Sequence, residues 1–188
     1  MRYSLSATLP GALAIVFSLS VAGVSVHNTV NPRGIVVHHL AVPPEVVPHF
    51  RIAEIDRLHR DRGFSAFYWG RVYHIGYHFV ILPDGTTLRG RPERLRGAHA
   101  FGYNDYLGIC LVGDFSSRDN PDGRMGLISP SEEQMRSLVK LTRDLQAKYR
   151  IPDARVVLHR ELNPQTECPG DRFDKDSFLK RLAISSRY

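Results

Sequence analysis

Residues 34–39, GIVVHH, are a run of β-branched residues that ends in two histidines. Because valine and isoleucine favour extended backbone, we expect a strand that carries His38 and His39 at its end. Similar runs predict three further strands, at residues 77–82, 107–112 and 155–158. The strand at residues 34–39 is therefore one of several that can pair into a sheet.

A hairpin is predicted around the second of these strands. Residues 83–85 are Pro-Asp-Gly, a turn sequence, and a return strand follows them. Side chains of an extended strand alternate between its two faces. Within residues 77–82, this alternation predicts that Tyr77 and Phe79 face one way and that His78 faces the other.

Three helices are predicted between and after the strands. Residues 51–63 carry apolar side chains at helical spacing. Residues 129–150 contain the clearest helix, in which Ser129 and Glu132 are predicted to form a capping box. Its predicted apolar face comprises Met135, Leu138, Thr142, Leu145 and Tyr149. With a short closing helix at residues 174–182, these elements predict a single α/β (α+β) domain with a central mixed β-sheet flanked by helices.

The first 26 residues differ in composition from the rest of the chain. Arg2 precedes an uncharged, largely apolar run from residue 9 to residue 26, with small residues near Ala22 where cleavage would fall. This pattern is typical of a secretory signal peptide. The run is also just long enough for an uncleaved membrane anchor, and a packed N-terminal extension is the third alternative. We therefore expect a folded domain over residues 27–188 and no other membrane segment.

The charge of the chain restricts its partners. Its 188 residues include 25 basic and 19 acidic ones, a net charge of +6. The balance of 43% apolar and 23% charged residues excludes a disordered chain. The arginines are scattered and accompany no nucleic-acid-binding motif. We therefore expect a globular monomer with no nucleic-acid partner, whose basic excess favours encounter with anionic polymers.

Two histidines and one cysteine are candidates for a metal site. His38 ends one predicted strand, His159 follows another, and Cys168 comes nine residues later. Strand ends of this kind commonly meet at one edge of a sheet. Two imidazoles and a thiolate match the three protein ligands of a catalytic zinc. A disulfide between Cys110 and Cys168, a cysteine–histidine nucleophile pair and purely structural roles are the alternatives at this point.

Four motifs then occur in order along the chain. They are IVVHH at residues 35–39, HIGYHFVILPDG at 74–85, GAHAFGYND followed by LGICLVGDF within 97–115, and LHRELNPQTECPG at 158–170. Through them, residues 34–173 resemble the N-acetylmuramoyl-L-alanine amidase type-2 family, which includes phage lysozyme-like amidases and peptidoglycan recognition proteins. The resemblance implies a Zn²⁺ cofactor held by His38, His159 and Cys168. It also implies that the partner is peptidoglycan or muramyl peptides.

The same resemblance implies roles for residues around the metal. It makes Tyr77 and Thr166 the groups that polarise the substrate carbonyl and its oxyanion. It places His99 and Asn104 at the substrate groove. His39 is a further candidate for substrate binding, with orientation of a metal ligand or packing as its alternatives.

Three features depart from the family pattern, and one of them is an interval from His159 to Cys168 that is one residue longer than in other branches of the family. Some branches of the family place a glutamate, suited to a general base, in the strand where this chain has Cys110. Glu167 is a candidate for that role here. Residues 64–73, FSAFYWGRVY, are longer than the corresponding family segment and contain the only tryptophan of the chain. This aromatic segment is expected either to form a wall of the groove or to cap the core.

Together, these residues predict an exported, zinc-dependent amidase. Its reaction would be hydrolysis of the amide between the lactyl group of N-acetylmuramic acid and L-alanine of the stem peptide. We expect the protein in the periplasm, in the cell envelope or outside the cell. A non-catalytic peptidoglycan-binding protein is the alternative function, and the cytoplasm is the alternative location if the chain is a phage endolysin.

Overall fold

The computed structural model describes residues 29–42, 45, 47 and 50–185. The predicted signal peptide or anchor, residues 1–26, lies outside the described residues. In chain order the elements are β1 (Ile35–Leu40), α1 (Ile52–Asp61), β2 (Ala66–Tyr68), β3 (Arg71–Tyr73), β4 (Phe79–Ile81), β5 (Thr87–Arg89), β6 (Leu107–Val112), α2 (Glu132–Tyr149), β7 (Val156–Leu158), α3 (His159–Leu162) and α4 (Lys175–Ser185). Each strand and helix predicted from the sequence corresponds to one of these elements.

Five strands form one mixed sheet in the order β5-β4-β6-β1-β7. β1 pairs in parallel with both β6 and β7, and β4 pairs in parallel with β6. The edge strand β5 runs antiparallel to β4, as the predicted hairpin requires. All six residues of β6 are buried, which is expected for a parallel strand covered on both faces. The predicted central mixed sheet flanked by helices is confirmed.

Helices cover the two faces of this sheet. On one face, α2 and α4 pack in a cluster with Ile35 and Val37 of β1. On the other face, Ile55 of α1 packs in a second cluster that includes Cys110. Because neighbouring side chains of a strand alternate, His38 lies on the α1 side, opposite Cys110 in the pairing of β1 with β6. In the described part of the chain, no helix has the length and apolar composition needed to cross a membrane.

The start of α2 differs from its prediction. The N-cap residue is Ser131, and the predicted capping box at Ser129 is wrong. Ser131 Oγ accepts a hydrogen bond from the Gln134 amide at 2.9 Å, and Gln134 Oε1 accepts one from the Ser131 amide at 3.2 Å. Gln134 is also fully buried, and its Nε2 donates to the carbonyls of Ile81 and Val112. These distant contacts select the second of two local sequences that both fit a capping box.

The predicted apolar face of this helix is confirmed. Its buried members are Met135, Leu138, Thr142 and Leu145, and Tyr149 packs against the same cluster. The helix therefore covers the sheet along most of its length, on the face away from His38.

The predicted alternation of Tyr77 and Phe79 is wrong. β4 begins only at Phe79, which packs on the α2 side, whereas Tyr77 packs on the α1 side. The cause is His78, whose amide donates to Gly108 O and whose Nδ1 accepts from the Gly108 amide, both at 2.9 Å. The imidazole takes the place of a backbone carbonyl, so regular pairing stops. As a result, Tyr77 lies on the same side as His38.

Residues 64–73 form a small hairpin of their own. β2 and β3 pair antiparallel with each other, in a two-stranded sheet separate from the main one. Trp69 lies in the connecting turn, and 84% of its surface is exposed. Trp69 itself therefore does not pack on the core, whereas Ala66 of the same segment is buried. A wall of the groove stays a prediction for this segment.

Replacing Gln134 with methionine tests the link between α2 and the strand ends. The variant keeps the side-chain length but removes the donor to the buried carbonyls of Ile81 and Val112. We expect the free energy of unfolding to fall by about 1–3 kcal/mol, measured by urea denaturation. Lys140→Met, at an exposed position of the same helix, is the matched control and should change it by less than about 0.5 kcal/mol. Equal losses in the two variants would contradict this role of Gln134.

Candidate metal centre and active site

His38, His159 and Cys168 lie together at one edge of the sheet. β1 and β7 are parallel neighbours in which Val37 is opposite Leu158. The residues that follow these two along the sequence therefore lie side by side. These residues are His38 and His159, whose ring centroids are 4.5 Å apart. One donor atom from each histidine and the Cys168 sulfur all lie within 4.8 Å of one another. The sequence prediction that these three residues meet agrees with this geometry.

The three donor atoms fit a zinc ion. His38 Nδ1 is 3.7 Å from Cys168 Sγ. Zinc–nitrogen bonds of about 2.0–2.1 Å and a zinc–sulfur bond of about 2.3 Å, at a tetrahedral angle, separate such donors by about 3.6 Å. Nitrogen and sulfur donors also suit zinc better than magnesium or calcium, which prefer oxygen. Among the described residues, His38, His159 and Cys168 form the one group of three or more histidine, cysteine or acidic side chains that could hold a metal.

Short-range hydrogen bonds shape the loop that carries Cys168. Asn163 Oδ1 accepts from the Gln165 amide at 3.0 Å, and Asn163 O accepts from the Thr166 amide at 3.2 Å. The Cys168 carbonyl accepts from the Arg160 amide at 2.8 Å. These bonds hold the loop against α3, the short helix that begins at the candidate ligand His159.

Gly170 fixes the far end of this loop against the segment that follows β6. Its Cα approaches Phe115 so closely that an added Cβ would lie 2.2 Å from the Phe115 carbonyl carbon. The Arg172 amide donates to Phe115 O at 3.0 Å. A side chain at position 170 would therefore push the cysteine loop away from the sheet edge.

The surroundings of Cys168 decide between its alternatives. Both cysteines are free, so the predicted alternative of a disulfide with Cys110 is wrong. Burial raises the pKa of the Cys168 thiol to about 12, against a smaller opposing effect of the His39 amide, which donates to Sγ at 3.4 Å. A nucleophilic cysteine needs a lowered pKa, whereas a bound metal cation offsets the cost of a buried thiolate. The environment favours the role of metal ligand.

His99 lies directly against the candidate ligand His38. Its Nδ1 is 3.0 Å from His38 Nε2, and its Nε2 is 3.0 Å from Tyr106 O. Burial lowers the pKa of His99 to about 3, and burial also lowers the pKa of His38 well below its usual value. Asn104 holds the same loop, because its Oδ1 accepts from the amides of His99 at 2.9 Å and Ala100 at 3.1 Å. Both ring nitrogens of His99 and the side-chain oxygen of Asn104, the two residues predicted at the substrate groove, thus have partners within the protein.

His39 borders a cavity beside Cys168. The cavity has a volume of about 250 Å³, and Thr166 lines it as well. His39 Nδ1 accepts from the Phe115 amide at 3.1 Å and is 3.6 Å from the Asp114 carboxylate. Burial lowers the pKa of His39, although Asp114 opposes this effect. In the neutral ring, Nε2 then carries the proton and is the nitrogen left for a further partner.

Tyr77 and Thr166 approach the candidate ligands from different elements. The Tyr77 ring centroid is 5.2 Å from that of His38. Burial raises the pKa of the Tyr77 hydroxyl well above its usual value, so this group is a proton donor near neutral pH. Thr166 Oγ1 accepts from the Cys168 amide at 3.2 Å. Because the oxygen is the acceptor in that bond, the hydroxyl hydrogen can be donated to another group.

Glu167, the candidate general base, is engaged by the loop that follows β6. Its carboxylate accepts from Ser116 Oγ at 3.0 Å and pairs with the Arg118 guanidinium at 3.0 Å. The sequence did not identify Ser116 and Arg118, since they lie far from Glu167 along the chain. Cys110, which stands where some branches of the family have a glutamate, is fully buried, and burial raises the pKa of its thiol well above the usual value.

A second cavity adjoins His159 and the cysteine loop. It has a volume of about 360 Å³, and Phe101 and Gln165 are among the residues that line it. The Phe101 side chain is fully exposed. Phe101 stands two residues after His99 in one of the four sequence motifs, but nothing in the local pattern distinguished it from a core residue. The candidate metal centre is therefore bordered by a polar cavity at His39 and Cys168 and by a second cavity that the exposed ring of Phe101 lines.

Comparison with known proteins bears on this site. Residues 23–171 match the family model described as N-acetylmuramoyl-L-alanine amidase. The chain belongs to this amidase family. The endolysin of Escherichia phage T7 is 35% identical over 137 residues, which cover 72% of this chain and 79% of the endolysin. The resemblance predicted from the four motifs is thereby confirmed.

Solved structures support the assignment of the chain to the amidase family. The N-acetylmuramoyl-L-alanine amidase LysC from Clostridium intestinale is 36% identical with a TM-score of 0.64, covering 82% of this chain and 87% of LysC. A complex of tracheal cytotoxin with the peptidoglycan recognition proteins LCa and LCx also matches, at 27% identity and a TM-score of 0.58, covering 78% of this chain and 81% of that chain. The fold is therefore shared by amidases and by proteins that bind wall fragments.

Proposed function

We propose that this amidase depends on zinc and cleaves the amide between the lactyl group of N-acetylmuramic acid and L-alanine in peptidoglycan. One observation carries the zinc dependence. His38, His159 and Cys168 bring two nitrogens and one sulfur within 4.8 Å of one another at an edge of the sheet. Three protein ligands are the number used by catalytic zinc sites, which keep a fourth position for water or substrate.

Amide hydrolysis needs a stronger electrophile and a stronger nucleophile than a free amide and neutral water. A bound Zn²⁺ supplies a Lewis acid for the carbonyl and a nucleophile derived from water near neutral pH. The protein's part is to hold the three donors in place. The parallel strands β1 and β7 fix the histidines, and Gly170 fixes the loop of the cysteine.

We assign to Tyr77 and Thr166 the stabilisation of negative charge on the carbonyl oxygen. The Tyr77 hydroxyl stays protonated because burial raises its pKa, and its ring lies next to that of His38. Thr166 has a hydroxyl hydrogen to donate and lies two residues before the Cys168 ligand. Removal of one donor of this kind typically costs about 2.7–4 kcal/mol of transition-state stabilisation.

We propose that substrate occupies the two cavities that adjoin the cysteine loop. His39 and Arg118 supply polar groups in one cavity, where they suit the peptide stem. In the other cavity, the exposed ring of Phe101 suits the apolar face of a sugar ring. Contacts of His99 and Asn104 with substrate stay predictions.

We propose the cell wall as the place of action, because the polymer substrate lies there. Export through the predicted signal peptide is one route. Release from the cytoplasm at lysis is the other, and similarity to endolysins such as those of phages T7 and K11 supports it.

The two routes give different N-termini. If residues 1–26 are a signal peptide, protein recovered from the cell envelope begins near Ala22, as N-terminal sequencing would show. An intact Met1 on active protein from the envelope contradicts cleavage, and an intact Met1 on protein confined to the cytosol before lysis supports the endolysin route.

Zinc dependence is tested with the pair Cys168→Ser and Cys110→Ala. We expect the first variant to lose bound zinc and to lose more than about 100-fold in activity, because even changes next to a ligand cost about 10–100-fold. The control removes the other thiol, that of Cys110, which is not one of the three metal donors, and should keep bound zinc. Metal analysis measures the bound zinc. Mass spectrometry of digested wall measures the activity, as release of peptides with a free N-terminal alanine.

Two outcomes contradict the proposal in different ways. Activity that survives in Cys168→Ser without zinc excludes zinc dependence. Wild-type protein that binds muramyl peptides but releases no peptide from them supports the alternative of a peptidoglycan recognition protein.

The role of Phe101 is tested by Phe101→Ala. Loss of an aromatic contact worth about 0.5–1.5 kcal/mol raises KM for a muramyl peptide about 2- to 10-fold. Zinc content and the thermal transition should not change, because Phe101 is fully exposed. Leu58→Ala, a half-exposed residue of α1, is the matched control, and an equal effect on KM there would exclude a specific contact.

A further inference from the structure

His38 uses its two ring nitrogens for different purposes. Nδ1 is the nitrogen that lies 3.7 Å from the sulfur of Cys168. Nε2 points to the other side of the ring and is 3.0 Å from Nδ1 of His99. His99 continues the chain, because its own Nε2 is 3.0 Å from the carbonyl oxygen of Tyr106. Three groups are thus linked in a row that ends on the backbone.

This row allows one arrangement of protons for neutral rings. A carbonyl oxygen only accepts hydrogen bonds, so His99 Nε2 must carry the proton that it donates to Tyr106 O. A neutral imidazole has one such proton, which leaves His99 Nδ1 as an acceptor. His38 Nε2 must then be the donor between the two rings. The lone pair of His38 consequently lies on Nδ1, which faces Cys168.

The ring of His99 is also held in place by close packing. A Cβ added at Gly97 or at Gly108 would lie 2.5 or 2.7 Å from the His99 ring, so both positions must be glycine for the ring to fit. The His78 ring packs edge-on against it, with centroids 5.6 Å apart. The His99 backbone is fixed through Asn104 Oδ1. These contacts hold the ring against His38 rather than in an open groove.

We propose that His99 is a positioning residue that fixes the tautomer and the ring orientation of His38 so that Nδ1 of His38 is presented to the metal. The inference rests on the proposed zinc site. It assigns His99 an action on the ligand in place of the predicted contact with substrate. Partners of this kind typically contribute about 10–100-fold to metal affinity.

Two polar replacements of His99 separate its hydrogen bond with His38 from its hydrogen bond with Tyr106 O. In His99→Asn, the side-chain oxygen can occupy the place of Nδ1 and accept from His38, while the link to Tyr106 O is lost. In His99→Gln, the longer amide can reach Tyr106 O, while the acceptor beside His38 is lost. We expect His99→Asn to keep zinc affinity within a few-fold of wild type and His99→Gln to lose about 10–100-fold.

The measurement is zinc affinity of the full chain by competition with a chromogenic chelator. The absorption spectrum of the Co²⁺-loaded protein reports the ligand geometry independently of activity. His74→Asn and His74→Gln, at a half-buried histidine that bonds to Phe64 O, are the matched controls and should leave zinc affinity unchanged. Thermal unfolding of each variant shows whether the fold is intact.

The outcomes distinguish this inference from the proposed function. Wild-type protein that binds no zinc contradicts the proposed metal site. Wild-type protein that binds zinc, with folded His99 variants of equal affinity, overturns the positioning role alone. A raised KM for muramyl peptides with unchanged zinc affinity and Co²⁺ spectrum would instead establish His99 as a substrate contact.

Discussion

The parallel pairing of β1 with β7 determines where two of the three candidate metal ligands lie. Val37 is opposite Leu158 in this pairing, so His38 and His159 reach the sheet edge together although they are far apart in the chain. A shift of one residue in β1 would turn His38 towards α2 and bring Val37 or His39 to its position. The pairing with β6 prevents this shift, because it buries Ile35 and Val37 in the cluster below α2 and α4.

Local sequence patterns were sufficient for the elements of the fold. β-branched runs located β1, β6 and β7, and helical spacing located α1 and α2, because burial of one face imposes those periods. The wrong predictions concern features that depend on a residue far away in the sequence. The cap of α2 depends on carbonyls of β4 and β6 that Gln134 reaches. The side on which Tyr77 packs depends on the ring of His78, which bonds to Gly108 in place of a strand carbonyl.

The candidate site shows the same division. The strand-end histidines and the loop cysteine were candidates because those residue types suit zinc, and the resemblance to the amidase family implied the complete ligand set. The partners of these residues were not accessible from the sequence. The contact of His38 with His99 spans 61 residues, and that of Ser116 with Glu167 spans 51. Such contacts depend on how loops fold over the sheet edge, which no local period encodes.

The hairpin of β2 and β3 has a practical consequence. Among the described strands, these two pair only with each other, so the hairpin can change length without altering the register of the main sheet. Its turn, at the exposed Trp69, belongs to neither strand of the metal edge. Exposed turns of this kind are the sites where inserted sequence is best tolerated. A fluorescent label or a second wall-targeting module could therefore be grafted there by protein engineering without a change in the strands that carry His38 and His159.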